Sequence, residues 1–208
     1  MAVIEYWSRG SGDVPGGDSA ANSPTAAAIA DAIRIRRGGD LLNLDRMLLH
    51  SPSFARGWNG LLGAVRTELS LPPRLRELLI CAVGVLNGAE YEIQQHRGPY
   101  LEAGGSAEAL QALADGPAAW EHSRLFDATE QAALQLTLAM TRSIQVPPRL
   151  IHQARSLLGS DQQLVEMVGV IATYNMVSRF LVALGVDMEE GSQSPEGGPP
   201  VLPAEAPP

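Results

Sequence analysis

Lysine is missing from this chain: all 15 basic residues are arginine. Without a lysine amine, Schiff-base and lysine-nucleophile chemistry are excluded. Cysteine is nearly as scarce, and the lone Cys81 can form neither an intrachain disulfide nor a dithiol redox centre. No excess of positive charge exists either. The formal net charge is -8, and removing the five acids that follow Arg179 leaves the remainder at -3, so there is no electrostatic footprint for nucleic acid. The start, Met1 to Trp7, has no basic residues and no long apolar core, and no uninterrupted stretch reaches the roughly 18 apolar residues of a membrane span. A soluble, unexported, cytoplasmic protein with no membrane partner is expected. Sustained two-residue alternation is also lacking, which argues against strands.

What the chain has is helical periodicity. Its 208 residues, 45% of them hydrophobic, suffice for one domain with a sizeable core. Residues 1–23 read as a flexible N-terminal segment, 24–186 as a single all-α domain, and 187–208 as a disordered tail rich in Pro, Gly and Glu. The expected architecture is a bundle of roughly seven to nine helices with no sheet. Ser23-Pro24 suits a first helix start, and Leu71-Pro72-Pro73 opens a central helix. That helix carries a broad stripe of Leu75, Leu78, Leu79, Ala82, Val83 and Leu86, while its opposite side carries Glu77, Cys81, Gly84 and Gly88, so both sides read as buried. Asn87-Gly88 breaks the chain before the next helix, which Gly98-Pro99 kinks near its end. Asp127 caps a later helix, Val146-Pro147-Pro148 starts another, and Ser160-Asp161 opens a last long one.

The chemistry-bearing pattern straddles the central break. Glu92 and His96 sit one turn apart on a face otherwise made of Ala89, Ile93, Tyr100 and Ala103, so they interrupt a small or apolar stripe. A carboxylate and an imidazole so placed can bond directly or converge on one ligand, although an i, i+4 pair alone is more often structural. Glu77, among small neighbours, either pairs with Arg74 three residues earlier or is a buried carboxylate that fixes His96. Glu77, Glu92 and His96 lack a second nearby His or Asp, and no metal site is assigned.

The segments His50-Ser51-Pro52, Leu71-Pro72-Pro73-Arg74-Leu75-Arg76-Glu77-Leu78-Leu79, Asn87-Gly88-Ala89-Glu90-Tyr91-Glu92 and His96 resemble the carboxymuconolactone decarboxylase family, which includes the alkyl hydroperoxidase D-like proteins. The resemblance runs from about Leu41 to Val186 and implies that family's helical bundle. The family's peroxidase branch carries Cys-x-x-Cys where this chain has Ala89 and Glu92, so its disulfide cycle cannot operate here. What carries over is Glu77, Tyr91, Glu92 and His96, the set of the cysteine-less, decarboxylase-like branch. The resemblance implies a lyase with no cofactor, acting on a small cyclic or aromatic carboxylic acid or lactone. His96 would be the general acid/base, Glu92 and Glu77 would orient it or share its proton, and Tyr91 would donate to a developing oxyanion. It also implies a homotrimer or hexamer. A non-catalytic ligand-binding oligomer with a remnant site is the alternative, and a thiol peroxidase working through Cys81 comes last.

Further candidates lie outside the cluster. Asn175 and Arg179 fall on a stripe of the last helix with Leu164, Val168, Ile171 and Val182, so Arg179 either grips a substrate carboxylate or closes a subunit contact. Tyr174, Trp58 and Phe54 either wall a pocket or belong to the core, and His50 caps or lines a cavity. His122 and His152 read as surface residues.

Overall fold

A computed structural model describes residues 1–9, 25–121 and 123–189. The expectations for residues 10–23, for the tail from 190 onward and for His122 lie outside the described residues. Among the described residues there are ten α-helices and no strand. The excess over seven to nine comes from two short segments, α2 (Asn43–Leu48) and α7 (Pro117–Glu121). The described residues divide into two compact units, one of residues 1–9, 25–68 and 184–189, the other of residues 69–121 and 123–183.

The first unit holds α1 (Ala26–Arg37), α2 and α3 (Pro52–Thr67). Thr25, beyond the expected Ser23-Pro24 start, caps α1 by accepting from the Ala28 amide, and Gly38 ends it in the left-handed region at φ 70°. Pro52 opens α3, where a missing N–H costs nothing. The Asp187 carboxylate accepts from the Ala2 amide at 3.0 Å and from the Tyr6 hydroxyl at 3.2 Å. Asn43 donates to the carbonyls of Asp187 and Met188 at 3.2 Å.

The second unit is built around α4 (Pro73–Asn87), which packs against α5 (Glu90–Glu102), α6 (Ala107–Ala114) and α8 (Ala128–Arg142). Ten of its 15 residues are buried, including both faces read from the sequence, so α4 is the helix on which the others assemble. Gly88 reverses the chain at φ 62°, a conformation that costs a side-chain-bearing residue about 1 kcal/mol or more. Gly84 lets α5 come close: a Cβ there would lie 3.0 Å from Ile93 Cγ1 and 3.3 Å from Glu92 Cβ. Pro99 sits inside α5, which continues through it to Glu102. After α5, Gly105 is fixed by its neighbour, since a Cβ would stand 2.2 Å from the Tyr100 ring.

Asp127 caps α8 as expected, and Glu130 completes the box by accepting from the Asp127 amide at 3.0 Å. Glu130 also takes both ends of the Arg74 guanidinium at 2.8 Å, which ties the first turn of α4 to that of α8. α9 (Pro148–Leu158) packs on α8, and α10 (Asp161–Leu184) closes the series. By length and composition α10 could cross a membrane, although Thr173, Asn175, Ser178 and Arg179 interrupt its apolar run. Half of its most apolar window is buried.

Candidate active site

Glu77 and His96, 19 residues apart, meet across the α4–α5 reversal. His96 Nδ1 lies 2.7 Å from Glu77 Oε2, and both side chains are buried. The other Glu77 oxygen accepts from Arg76 Nε at 3.1 Å. Of the two readings of Glu77, the partner of His96 is the one observed, and Arg74 is spent on Glu130 instead. Burial pushes the Glu77 carboxyl up, but the hydrogen bond and charge of His96 with the Arg76 guanidinium outweigh it and hold the group below its ordinary value. Glu77 is therefore a carboxylate at neutral pH. It accepts the Nδ1 proton, which fixes the tautomer and orients the imidazole.

Tyr174 of α10 stands edge-on to the imidazole, ring centroids 5.1 Å apart at 89°, and is wholly buried. That edge-to-face contact restrains the ring plane. Glu92, in the first turn of α5, is buried too and is brought against α4 by the close approach at Gly84. Glu77 and Glu92 both act on Cys81: burial first, then the two carboxylates, push its thiol far above the ordinary value. A thiolate is strongly disfavoured at that position, as suits a small core residue rather than a nucleophile. Tyr91, next to Glu92, is buried.

Asn175 is buried one residue beyond Tyr174. Its Nδ2 donates to Thr141 Oγ1 and to the Ile171 carbonyl, both at 3.0 Å, and its Oδ1 accepts from Asn87 Nδ2 at 3.1 Å. It thereby ties the last residue of α4 to α8 and α10. Arg179 does not point into the core. It is exposed and folds back along α10, its NH1 2.9 Å from the Asn175 carbonyl oxygen and 2.8 Å from Asn175 Oδ1. The expected inward stripe is buried at Ile171 and Asn175 but breaks at Arg179, because α10 is apolar on nearly every side. The buried line runs through Met167, Val170, Tyr174, Val177 and Leu181, while Val182 is exposed.

Three other candidates belong to the first unit. Trp58 is buried and Phe54 is 47% exposed, their rings edge-on at 5.6 Å. His50 is exposed, with Nε2 2.7 Å from the Glu5 carbonyl oxygen. His152 is exposed, as expected. No group of three potential metal ligands exists among the described residues. Sequence reasoning passed over Arg76 as a site residue, although its place beside Glu77 was a usable signal.

Residues 52–139 match the carboxymuconolactone decarboxylase family. That stretch runs from the start of α3 through most of α8 and contains Glu77, Glu92 and His96. The chain therefore carries this family's segment. No curated protein matches the chain. Among solved structures, an alkylhydroperoxidase AhpD-core, peroxidase-related protein of Ralstonia eutropha JMP134 is 17% identical, with a TM-score of 0.68 over 82% of this chain and 92% of that one. A peroxidase-related protein of Silicibacter sp. TM1040 is also 17% identical, with a TM-score of 0.66 over 82% of this chain and 88% of the other. The debrominase Bmp8 in its apo form is 15% identical, with a TM-score of 0.65 over 82% and 89%. At such identities the likeness shows a shared all-α fold of the family.

Proposed function

We propose that the protein is a lyase that needs no cofactor, most simply a decarboxylase, or a related enolisation or ring-opening enzyme, acting on a small cyclic or aromatic carboxylic acid or lactone. The observation that carries this reading is the buried Glu77–His96 pair, whose 2.7 Å contact sets a carboxylate directly on an imidazole that can take up and release a proton. In a decarboxylation the bond between carbon and the carboxylate breaks, its electron pair stays on carbon as an enolate, and carbon dioxide leaves. That carbon then takes a proton from the His96 imidazolium, which Glu77 stabilises, and solvent returns the proton. Tyr91 and Glu92, buried on the first turn of α5, are assigned to the developing oxyanion and to sharing the proton. The family match and the likeness to a debrominase support an enzyme of this fold.

Thiol chemistry is the least supported reading, because the disfavoured thiolate of Cys81 cannot attack a peroxide or a halide readily. A soluble homotrimer or hexamer is part of the proposal, supported by the exposed Val165 and Val182 on α10, and sedimentation of a monomer would remove it. The activity is tested by screening aromatic and lactone acids for carbon dioxide release. On an acid that is turned over, His96→Ala is expected to slow release by about 100-fold or more, with Glu92→Gln also slower. Turnover by both variants at the parental rate sinks the assignment. Ligand binding without turnover across the panel would favour the non-catalytic binder.

A further inference from the structure

The three guanidiniums around the site differ in what they have left to offer. Arg74 gives Nε and NH2 to Glu130. Arg179 gives NH1 to Asn175 and is exposed. Arg76 commits only Nε, to Glu77 Oε1, and NH1 and NH2 have no hydrogen-bond partner among the described residues. Its side chain is 14% exposed and mostly enclosed, and neither NH1 nor NH2 is shut away from solvent, since neither is among the fully enclosed side-chain atoms without a hydrogen bond.

The geometry points to Arg76 as the residue that holds the substrate's anionic group beside the Glu77–His96 pair. This assignment rests on the proposed acid chemistry and replaces Arg179, which the sequence offered for the same task. A guanidinium is planar, so the unspent NH1–NH2 edge lies in the plane already set by the Nε contact with Glu77. That edge matches the two oxygens of a carboxylate, and a bidentate pair of this kind fixes orientation as well as position. Glu77 spans the two functions, one oxygen on Arg76 and the other on His96, so a ligand held by Arg76 is indexed to the imidazole through a single rigid carboxylate.

Charge narrows the ligand. Glu77 already neutralises Arg76, and Glu92 is buried on the facing helix. A carboxylate group places one negative charge at that edge, whereas a phosphate dianion would bring two on the same group toward the same carboxyls. Catalysis narrows it again. A cation on the carboxylate that departs as carbon dioxide would stabilise the ground state and lose its partner in the transition state. Arg76 therefore grips an anionic oxygen that stays in the product, and the product acid competes with substrate.

The test uses ligands and needs no turnover. Benzoate, 2-furoate and phthalate, with benzamide and inorganic phosphate as controls, are titrated into the parent protein, Arg76→Gln and Arg76→Lys. The His96 ring nitrogens are followed by NMR and affinity by calorimetry, with the melting temperature of each variant as the fold check. At least one carboxylate is expected to shift the His96 ring and to bind about tenfold or more weakly to Arg76→Gln. Arg76→Lys, which keeps charge but loses the fork, should fall between, benzamide should not distinguish the proteins, and phosphate should not compete. Should Arg76→Gln fail to fold, the same comparison is read from Arg76→Lys.

The assignment is overturned if no carboxylate perturbs His96 at millimolar concentration, or if carboxylate affinity is unchanged in the variants. It is also overturned if Arg76→Gln alters only the pH titration of His96, which would make Arg76 a prop for Glu77. Arg76-dependent binding with no carbon dioxide release across the acid panel would sink the lyase reading alone. Release insensitive to Arg76 would sink the anchor alone.

Discussion

Two buried glutamates, each held by an arginine of the first turns of α4, have opposite destinies. Glu130 accepts both ends of Arg74 and also the Asp127 amide, so three donors converge on it. Glu77 divides its two oxygens between Arg76 and His96, the latter a group that can change charge near neutral pH. The first arrangement is closed and joins two helix starts, while the second passes an electrostatic influence on to an imidazole. What separates the structural carboxylate from the one proposed to act is the chemistry of the partners, since burial is 4% exposure in both.

The sharpest way to break this contrast is to neutralise Glu77. Glu77→Gln should lower turnover by roughly 100-fold or more, because the amide can no longer hold the Nδ1 proton and stabilise the imidazolium. The same variant changes the acid limb of stability. A carboxyl held below its ordinary value stabilises the fold above about pH 4.5 and loses that contribution as pH falls through the lowered folded value. The melting-temperature gap between parent and Glu77→Gln should therefore narrow on acidification below that point, and a gap constant with pH would contradict the assignment.

Breaking the other pair should do the reverse. Arg74→Ala strands a buried Glu130 and is expected to cost about 1–3 kcal/mol in denaturant unfolding, with turnover per folded molecule retained. The figure sits below the range for a fully buried pair because the Arg74 side chain is 42% exposed and water can replace part of it. A smaller effect probes the α4–α5 contact on which the site depends. Gly84→Ala gains about 1 kcal/mol of helix propensity but drives a methyl against Ile93 and Glu92, an overpacking of about 1–3 kcal/mol, so a net loss of about 1 kcal/mol is expected. The smallest effect belongs to Arg155→Ala. Its pairing with Asp161 is solvent-exposed, and no change in melting temperature should be measurable.

Much of this fold could be read from local signals. Pro73, Asp127 and Pro148 mark helix starts because caps and breakers act over three or four residues, and the bounds follow them closely. Cys81, Gly84 and the two faces of α4 were legible because small and apolar residues covered the helix all round. The site was legible in part: Glu77 and His96 stood out as polar interruptions of such faces, and the family pattern paired them. The Arg74–Glu130 pair was not, since 56 residues separate its members and the nearby Glu77 offered a plausible wrong partner. Arg179 misled for a different reason. With apolar residues on most of its sides, α10 has no unique inward face, so spacing alone could not tell that Arg179 falls outside the buried one.

The solitary thiol has one more consequence. Cys81 is fully enclosed by α4 and its neighbours, and its thiolate is suppressed. A thiol reagent can reach it only while that part of the core is open, and each reaction leaves a permanent mark on a single residue. The chain thus contains its own recorder of transient opening, seated beside Glu77 and Glu92. In unaltered protein, the labelling rate would count how often the core surrounding the reactive pair comes apart.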